Sequence, residues 1–423
     1  MFQCLLTKSA YFFVEEHLPF IQTVINSSLP GNLADFLEEA VDFTGDGLRF
    51  HDAGLSSNQA CLYKHNIVVD GILSTFRGNI QEHFMKKLIV VGENIHCTRM
   101  YKVGGNFVIP SDKGGYVVVY GGKADVRTLP IPAHFLNMAD WEAGKIKHCA
   151  VAVWQGLYGD AVGKAAAMDY LRYLALRQER AEASFLDVNV DEFSTDIDER
   201  CRAIKWVAEV VQATATIPLS IDSSNPAILR AGLESCDPKR GRPMVNSVSL
   251  ERLGAISVAA EFKAVVIASA AGEKDLPGNT EERLGNLNRL IALLDQAGIC
   301  GGDVYVDPLV FPVATDSNNA QSFLDSVVSI RKAYGPDVHI TGGLSNVSFG
   351  MPARKLINQV FTWMVVEAGG DSGILDPLQM NAKILAAVDP TSESFKLARA
   401  LLTGEDMFGM EFITAHREGK LVE

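Results

Sequence analysis

From Gly159 onward the apolar positions alternate between two rhythms. Short blocks rich in Val, Ile and Ala are each followed by a longer stretch with helical spacing. A helix is predicted over Ala161–Glu182, followed by strand Ser184–Val188 and helix Asp198–Thr214. Strand Pro218–Ile221 leads to helix Pro226–Ser235, and strand Pro243–Val245 to helix Leu250–Glu261. Strand Ala264–Ala268 precedes helix Thr280–Ala297, and strand Asp303–Val306 precedes helix Ala320–Tyr334. Strand Val338–Ile340 pairs with helix Ala353–Glu367, and a weaker strand near Ser372–Leu375 with helix Gln379–Val388. Leu88–Val91 is an earlier buried strand. Eight strands, each followed by a helix, predict a parallel sheet closed into an α/β, (β/α)8 TIM barrel.

The flanks follow other rules. Residues 1–86 are expected to form a mainly helical N-terminal extension, with helices in Tyr11–Ile25, Leu33–Val41 and Asn66–Phe84. The barrel is expected over 87–390, with a C-terminal helical tail over 391–423. Residues 98–150 break the first βα connection. Their alternating run Gly114–Gly122 reads as hairpin strands, hence a β-rich insertion after the first strand.

Composition narrows the class. The 423 residues carry a formal charge of −13, which disfavours nucleic acid or an anionic membrane as the main partner. No apolar run reaches the roughly 18 residues of a membrane span. The seven cysteines include no C-x-x-C, as expected of buried thiols in a reducing, cytoplasmic setting rather than a disulfide framework. The chain has neither G-x-G-x-x-G nor G-x-x-x-x-G-K-[ST].

In such a barrel the working residues sit at the C-terminal strand ends. Those ends read Glu93, Asn94 and His96; Asp187 and Asn189; Asp222 and Asn225; Asn246 and Ser247; Ser269; Asp307; Asn346; Asp371. Asn225, Ser247 and Ser249 equally suit helix caps. Asp187, Asp222 and Asp307 lie in or at the end of apolar strands, where an unpartnered carboxylate would be costly. The Thr341–Gly350 stretch, with its Gly pair and Ser-Asn-Val-Ser turn, has a polarity and Gly content suited to ligand approach rather than packing. It makes Asn346 the candidate chemical centre. Carboxylates and amides without a Ser-His-Asp set or a cationic phosphate clamp suit a flat heterocycle with amino, N–H and carbonyl edges, such as a pterin. One His96-Cys97 dipeptide without ligands at fixed spacing makes no metal site, and none is expected.

Gly92-Glu93-Asn94-Ile95-His96, Leu186-Asp187-Val188-Asn189-Val190, Ile221-Asp222-Ser223-Ser224-Asn225, Val245-Asn246-Ser247, Val306-Asp307-Pro308-Leu309, Gly343-Leu344-Ser345-Asn346-Val347-Ser348 and Arg354-x-Leu356-Ile357-Asn358 occur in this order. Together they resemble the pterin-binding methyltransferases: methyltetrahydrofolate:corrinoid/iron–sulfur protein methyltransferase and the folate module of cobalamin-dependent methionine synthase. The resemblance implies that Asp187, Asn189, Asp222, Asn246 and Asp307 hold the pterin, that Asn346 reaches N5, and that Arg354 shapes the mouth or meets the substrate's acidic part. Glu93, Asn94 and His96 are possible first-strand contacts. It further implies methyl transfer between N5 of tetrahydrofolate, or its 5-methyl form, and a corrinoid protein, in one-carbon metabolism or a demethylation system. Cobalamin is expected on that partner, not on this chain, and a homodimer is expected by resemblance alone. The first motif departs from the pattern, with Asn94 and His96 where relatives usually carry Arg and Asn, and Asp191 adds a carboxylate after the second strand. The alternatives are a dihydropteroate-synthase-like condensing enzyme, which would carry a late strand-end Arg-x-His where this chain has His416-Arg417, in reversed order and well past the barrel, and a non-catalytic pterin-binding protein.

Overall fold

The computed structural model describes residues 41–44, 47–50 and 88–421. The chain divides into two compact units, Met1–Gly78 and Asn79–Glu423. In the first, β1 (Val41–Thr44) and β2 (Gly47–Phe50) form an antiparallel hairpin with Thr44 opposite Gly47. Val41 therefore opens a strand rather than closing the helix expected over Leu33–Val41; the other helices expected in 1–86 lie outside the described residues.

The second unit begins with β3 (Ile89–His96). The insertion follows. In it β4 (Met100–Lys102) pairs antiparallel with β8 (Lys145–Lys147), and β5 (Val108–Pro110), β6 (Tyr116–Gly122) and β7 (Asp125–Ile131) form a three-stranded antiparallel meander. A short helix, α1 (Ala139–Glu142), precedes β8. Helix α2 (His148–Tyr158) starts inside the stretch read as insertion, and the long α3 (Ala161–Arg180) follows it with Asp160 as its N-cap.

Then the alternation runs as the sequence predicts: β9 (Phe185–Asn189), α4 (Ile197–Gln212), β10 (Leu219–Asp222), α5 (Pro226–Glu234), β11 (Met244–Val248) and α6 (Gly254–Glu261). It continues through β12 (Val265–Ser269), α7 (Thr280–Gln296), β13 (Val304–Asp307), α8 (Asn319–Tyr334), β14 (His339–Ile340), α9 (Arg354–Glu367) and β15 (Ser372–Leu375). The expected helix Gln379–Val388 shrinks to α10 (Ala382–Ala386), because Asn381 rather than Gln379 provides the N-cap. Helices α11 (Glu393–Leu402) and α12 (Met410–Arg417) complete the described chain.

Eight parallel strands run in the order β14-β13-β12-β11-β10-β9-β3-β15. The two edge strands meet through a parallel bridge between Gly343 and Ile374 and a hydrogen bond from Ile374 N to the Gly342 carbonyl at 2.9 Å, which closes the ring. Strand alternation divides the core in two. Val91, Met244, Val265, Ile267 and Tyr305 fill the barrel, and the opposite faces pack against the helices. Phe185 meets Tyr305 edge-on at 6.2 Å, and Tyr305 stacks on His339 at 4.4 Å.

Candidate active site at the barrel mouth

Polar side chains reach the barrel interior because they occupy the inward half of each strand's alternation. On β9 the inward series is Phe185, Asp187, Asn189; on β10 it is Ser220, Asp222. Register places Asp222 beside Asn189 and beside Asn246. On β3 simple alternation from Val91 would aim Ile95 inward. A bulge between Gly92 and Ile95, against a single residue on β9, reverses that parity, so His96 pairs with Asn189 and Ile95 joins the helix-facing core.

The result is one bonded cluster. His96 Nε2 lies 2.6 Å from Asp187 Oδ2, and Asp187 is fully buried. Asn246 Nδ2 donates to both Asp187 oxygens at 3.3 and 3.4 Å. Asn189 Nδ2 donates to Asp222 Oδ2 at 2.9 Å, while Asn189 Oδ1 accepts from Asp191 N at 3.0 Å. Burial, and then the charge of Asp187, push the Asp222 carboxyl up to about 7. For His96 burial acts downward, but the charge and hydrogen bond of Asp187 and the charge of Asp222 together outweigh it and raise its pKa. One ligand atom from each of His96, Asp187 and Asp222 falls within 4.8 Å of the others. A cation could span that distance, but the imidazole nitrogen is already engaged by Asp187, so the set reads as groups sharing protons.

Asp307 ends β13 and is almost fully buried. Its Oδ1 accepts from Leu309 N at 2.8 Å, and burial pushes its carboxyl up to about 6 against the opposing hydrogen bond and the charge of Arg283. Asn346 lies in a 3-10 turn, Leu344–Ser348, beyond β14. Its backbone is bonded within the turn, while its half-buried side-chain amide has no partner among the described residues. Arg354 braces this turn through Nε to Ser348 Oγ and a terminal nitrogen to the Ser345 carbonyl, both at 3.0 Å, and lies 4.4 Å from the Phe349 ring centroid. Ser345 Oγ donates to Glu93 Oε1 at 2.8 Å, and Arg99 reaches the same oxygen at 2.5 Å. The seventh and first strand ends are thereby joined. Asn94 Nδ2 donates to Asp376 Oδ1 at 2.7 Å, which ties the first strand end to the eighth.

Several expectations change on this geometry. The Gly pair before Asn346 is explained by packing after all. A Cβ on Gly342 would stand 3.0 Å from the Phe323 ring, and one on Gly343 would stand 2.7 Å from Asn346 Nδ2. Asp371 is at the wrong end of its strand: it precedes Ser372 and bonds His339 Nδ1 at 2.7 Å and Ile340 N at 2.8 Å on the far side of the barrel. Asp376 is the eighth strand's acidic residue at the mouth, and a short, Gly-containing strand hid it. Asn225 is a helix cap, accepting from Ala227 N at 2.9 Å. Asp191 accepts from Ser223 Oγ at 2.6 Å and Ser224 N at 2.9 Å, so the added carboxylate pins the next loop.

One corrinoid-type spacing, D-x-H-x-x-G, does occur, at Asp337 to Gly342. Its His339 is held through Nδ1 by Asp371 and its ring stacks on Tyr305, at the end of the strand away from the mouth cluster.

A cavity of about 260 Å³ lies beside the mouth, walled by Phe135, Ile146, Lys147 and Trp154 on one side and Glu192 and Phe193 on the other. It includes none of the cluster above. No described helix is long and apolar enough to cross a membrane.

The pattern of the pterin binding enzyme family matches residues 163–376. A methylcorrinoid:tetrahydrofolate methyltransferase of Eubacterium limosum is 30% identical over 257 residues, which span 60% of this chain and 89% of that enzyme. Methionine synthase of Mycobacterium tuberculosis is 32% identical over 225 residues, 49% of this chain but 18% of that enzyme. A solved dihydropteroate synthase of Stenotrophomonas maltophilia is 17% identical, with a TM-score of 0.42 over 57% of this chain and 88% of that one.

Proposed function

Because this chain belongs to the family of pterin-binding enzymes, we propose that it moves a methyl group between N5 of tetrahydrofolate and a corrinoid carried by a partner protein. The observation that carries the reading is the Asn346 amide, unpartnered among the described residues, at the same barrel end as the buried carboxylates Asp187 and Asp307 and the half-buried Asp222. The similarity to a methylcorrinoid:tetrahydrofolate methyltransferase supports the same chemistry.

In this reading the pterin's amino group and ring N–H donate to carboxylate oxygens at the barrel floor. Asp222 Oδ1 and Asp307 Oδ2 have no protein donor among the described residues. Asn189 and Asn246 orient the carboxylates. The methyl group leaves N5 poorly unless that nitrogen is stabilised as its electron pair develops. An amide is too weak an acid to protonate N5, but the Asn346 N–H can donate to the developing lone pair in the transition state. The corrinoid supplies the nucleophilic metal centre, or the methyl donor in the reverse direction. Arg354 acts on the turn that carries Asn346, since two of its guanidinium nitrogens are engaged by Ser345 and Ser348.

Calorimetric titration with tetrahydrofolate and its 5-methyl form is the direct test. Binding of both at a 1:1 ratio is expected. No binding of either, or turnover of a pterin pyrophosphate with p-aminobenzoate, would overturn the reading.

A further inference from the structure

Asp187 is surrounded by donors. His96 Nε2 approaches one oxygen at 2.6 Å, and Asn246 Nδ2 approaches both at 3.3 and 3.4 Å. Asp222 is placed differently. Its Oδ2 accepts from Asn189 Nδ2 at 2.9 Å, and that amide cannot turn round, because its oxygen is held by Asp191 N. The second oxygen of Asp222 has no donor among the described residues and is free to carry a proton. Two carboxylates within reach of one imidazole, Asp187 fully buried and Asp222 half-buried, cannot both ionise cheaply, and the bonding pattern says which one keeps the charge.

We propose that His96 is a positioning residue: as an imidazolium it holds Asp187 as a fixed carboxylate and leaves Asp222 as the group that releases a proton when a pterin edge docks. The inference rests on the pterin-binding function proposed above. The Asp222 O–H bond breaks, the proton goes to solvent, and the carboxylate oxygen accepts the pterin N–H in its place. The other charged groups facing the pair do not replace His96. Arg99 is paired with Glu93, and Asp191 is bonded to Ser223 and Ser224. The Asp222 carboxyl, pushed up to about 7, puts the exchange near neutral pH. The bulge in β3 is what brings this side chain into the barrel.

The test is calorimetry of tetrahydrofolate binding in two buffers of different ionisation enthalpy between about pH 6 and 9, which counts protons released per ligand. The intact protein should release up to one proton, falling to half near pH 7. His96→Gln keeps a donor without the charge. It should move that step upward by at least about one pH unit and weaken binding at pH 7 about tenfold, with affinity restored toward pH 9. His96→Asn should shift the step the same way. An unmoved step, or an equal loss of affinity at every pH, would overturn the proposal in favour of a merely structural histidine. Carboxyl carbon NMR of Asp222 in the ligand-free protein separates the two readings. A titration that rises in His96→Gln supports the charge assignment and an unchanged one refutes it, whereas a failure of tetrahydrofolate to bind at all counts against the proposed function.

Discussion

Gly343 and Asn346 share one space: a Cβ on Gly343 would stand 2.7 Å from the Asn346 amide nitrogen. Gly343 has an ordinary negative φ, so the missing side chain matters for room and not for backbone freedom. Gly343→Ala should therefore fold nearly as well as the parent, yet turn the amide away from its working position. A methyl-transfer rate at least about tenfold lower, equivalent to ~1.4 kcal/mol in the barrier, is expected with little change in tetrahydrofolate affinity. Unchanged single-turnover transfer would show that the position of Asn346 does not matter.

Arg354 offers a complementary lesion. Its two bonds to the Ser345–Ser348 turn and its stacking on Phe349 make it a brace rather than a free cation at the mouth. Arg354→Ala should lower the rate constant for transfer by a similar factor for mono- and polyglutamyl folates. A Michaelis constant that rises selectively for the more acidic substrate would assign the residue to the substrate's tail instead.

Asp307 links function to stability. Its carboxyl titrates at about 6 in the fold, against roughly 3.9 in an unfolded chain, so between those values the native state binds more protons. Stability contributed at this site is therefore full below the lower value and lost as pH rises through the upper one. Above pH 6 the penalty is on the order of 3 kcal/mol at most. Asp307→Asn should unfold at a higher temperature than the parent at pH 7.5, show no such gain near pH 4, and bind tetrahydrofolate poorly. Equal stabilisation at both pH values would remove ionisation as the cause.

Much of this was written in the pattern of the chain. The eight βα units follow from apolar blocks and helical spacing, and Asp187 and Asn189 alternate with apolar neighbours that must face the helices. The structure corrects the reading where pattern carries little information. A four-residue strand with a glycine left its own polarity ambiguous, so Asp371 was read at the mouth although Asp376 is the residue there. The bulge in β3 needs the partner strand's register to be seen, and without it His96 has no reason to meet Asp187. Asp191 reads in the sequence only as an added carboxylate, because a sequence does not show that Ser223 and Ser224 lie within hydrogen-bonding reach. Residues 1–40 and 51–87 lie outside the described structure, and their composition alone assigns them no chemistry.

The central claim is that Asn346 assists departure of the methyl group without being needed for binding. It is tested by following transfer from 5-methyltetrahydrofolate to free cob(I)alamin by absorbance, with the parent and Asn346→Ala side by side and ligand affinity measured on the same samples. The expected result is a dissociation constant for 5-methyltetrahydrofolate within a few-fold of the parent and a transfer rate lower by about a hundredfold, or ~2.7 kcal/mol of transition-state stabilisation. Equal transfer rates in the two proteins would contradict it.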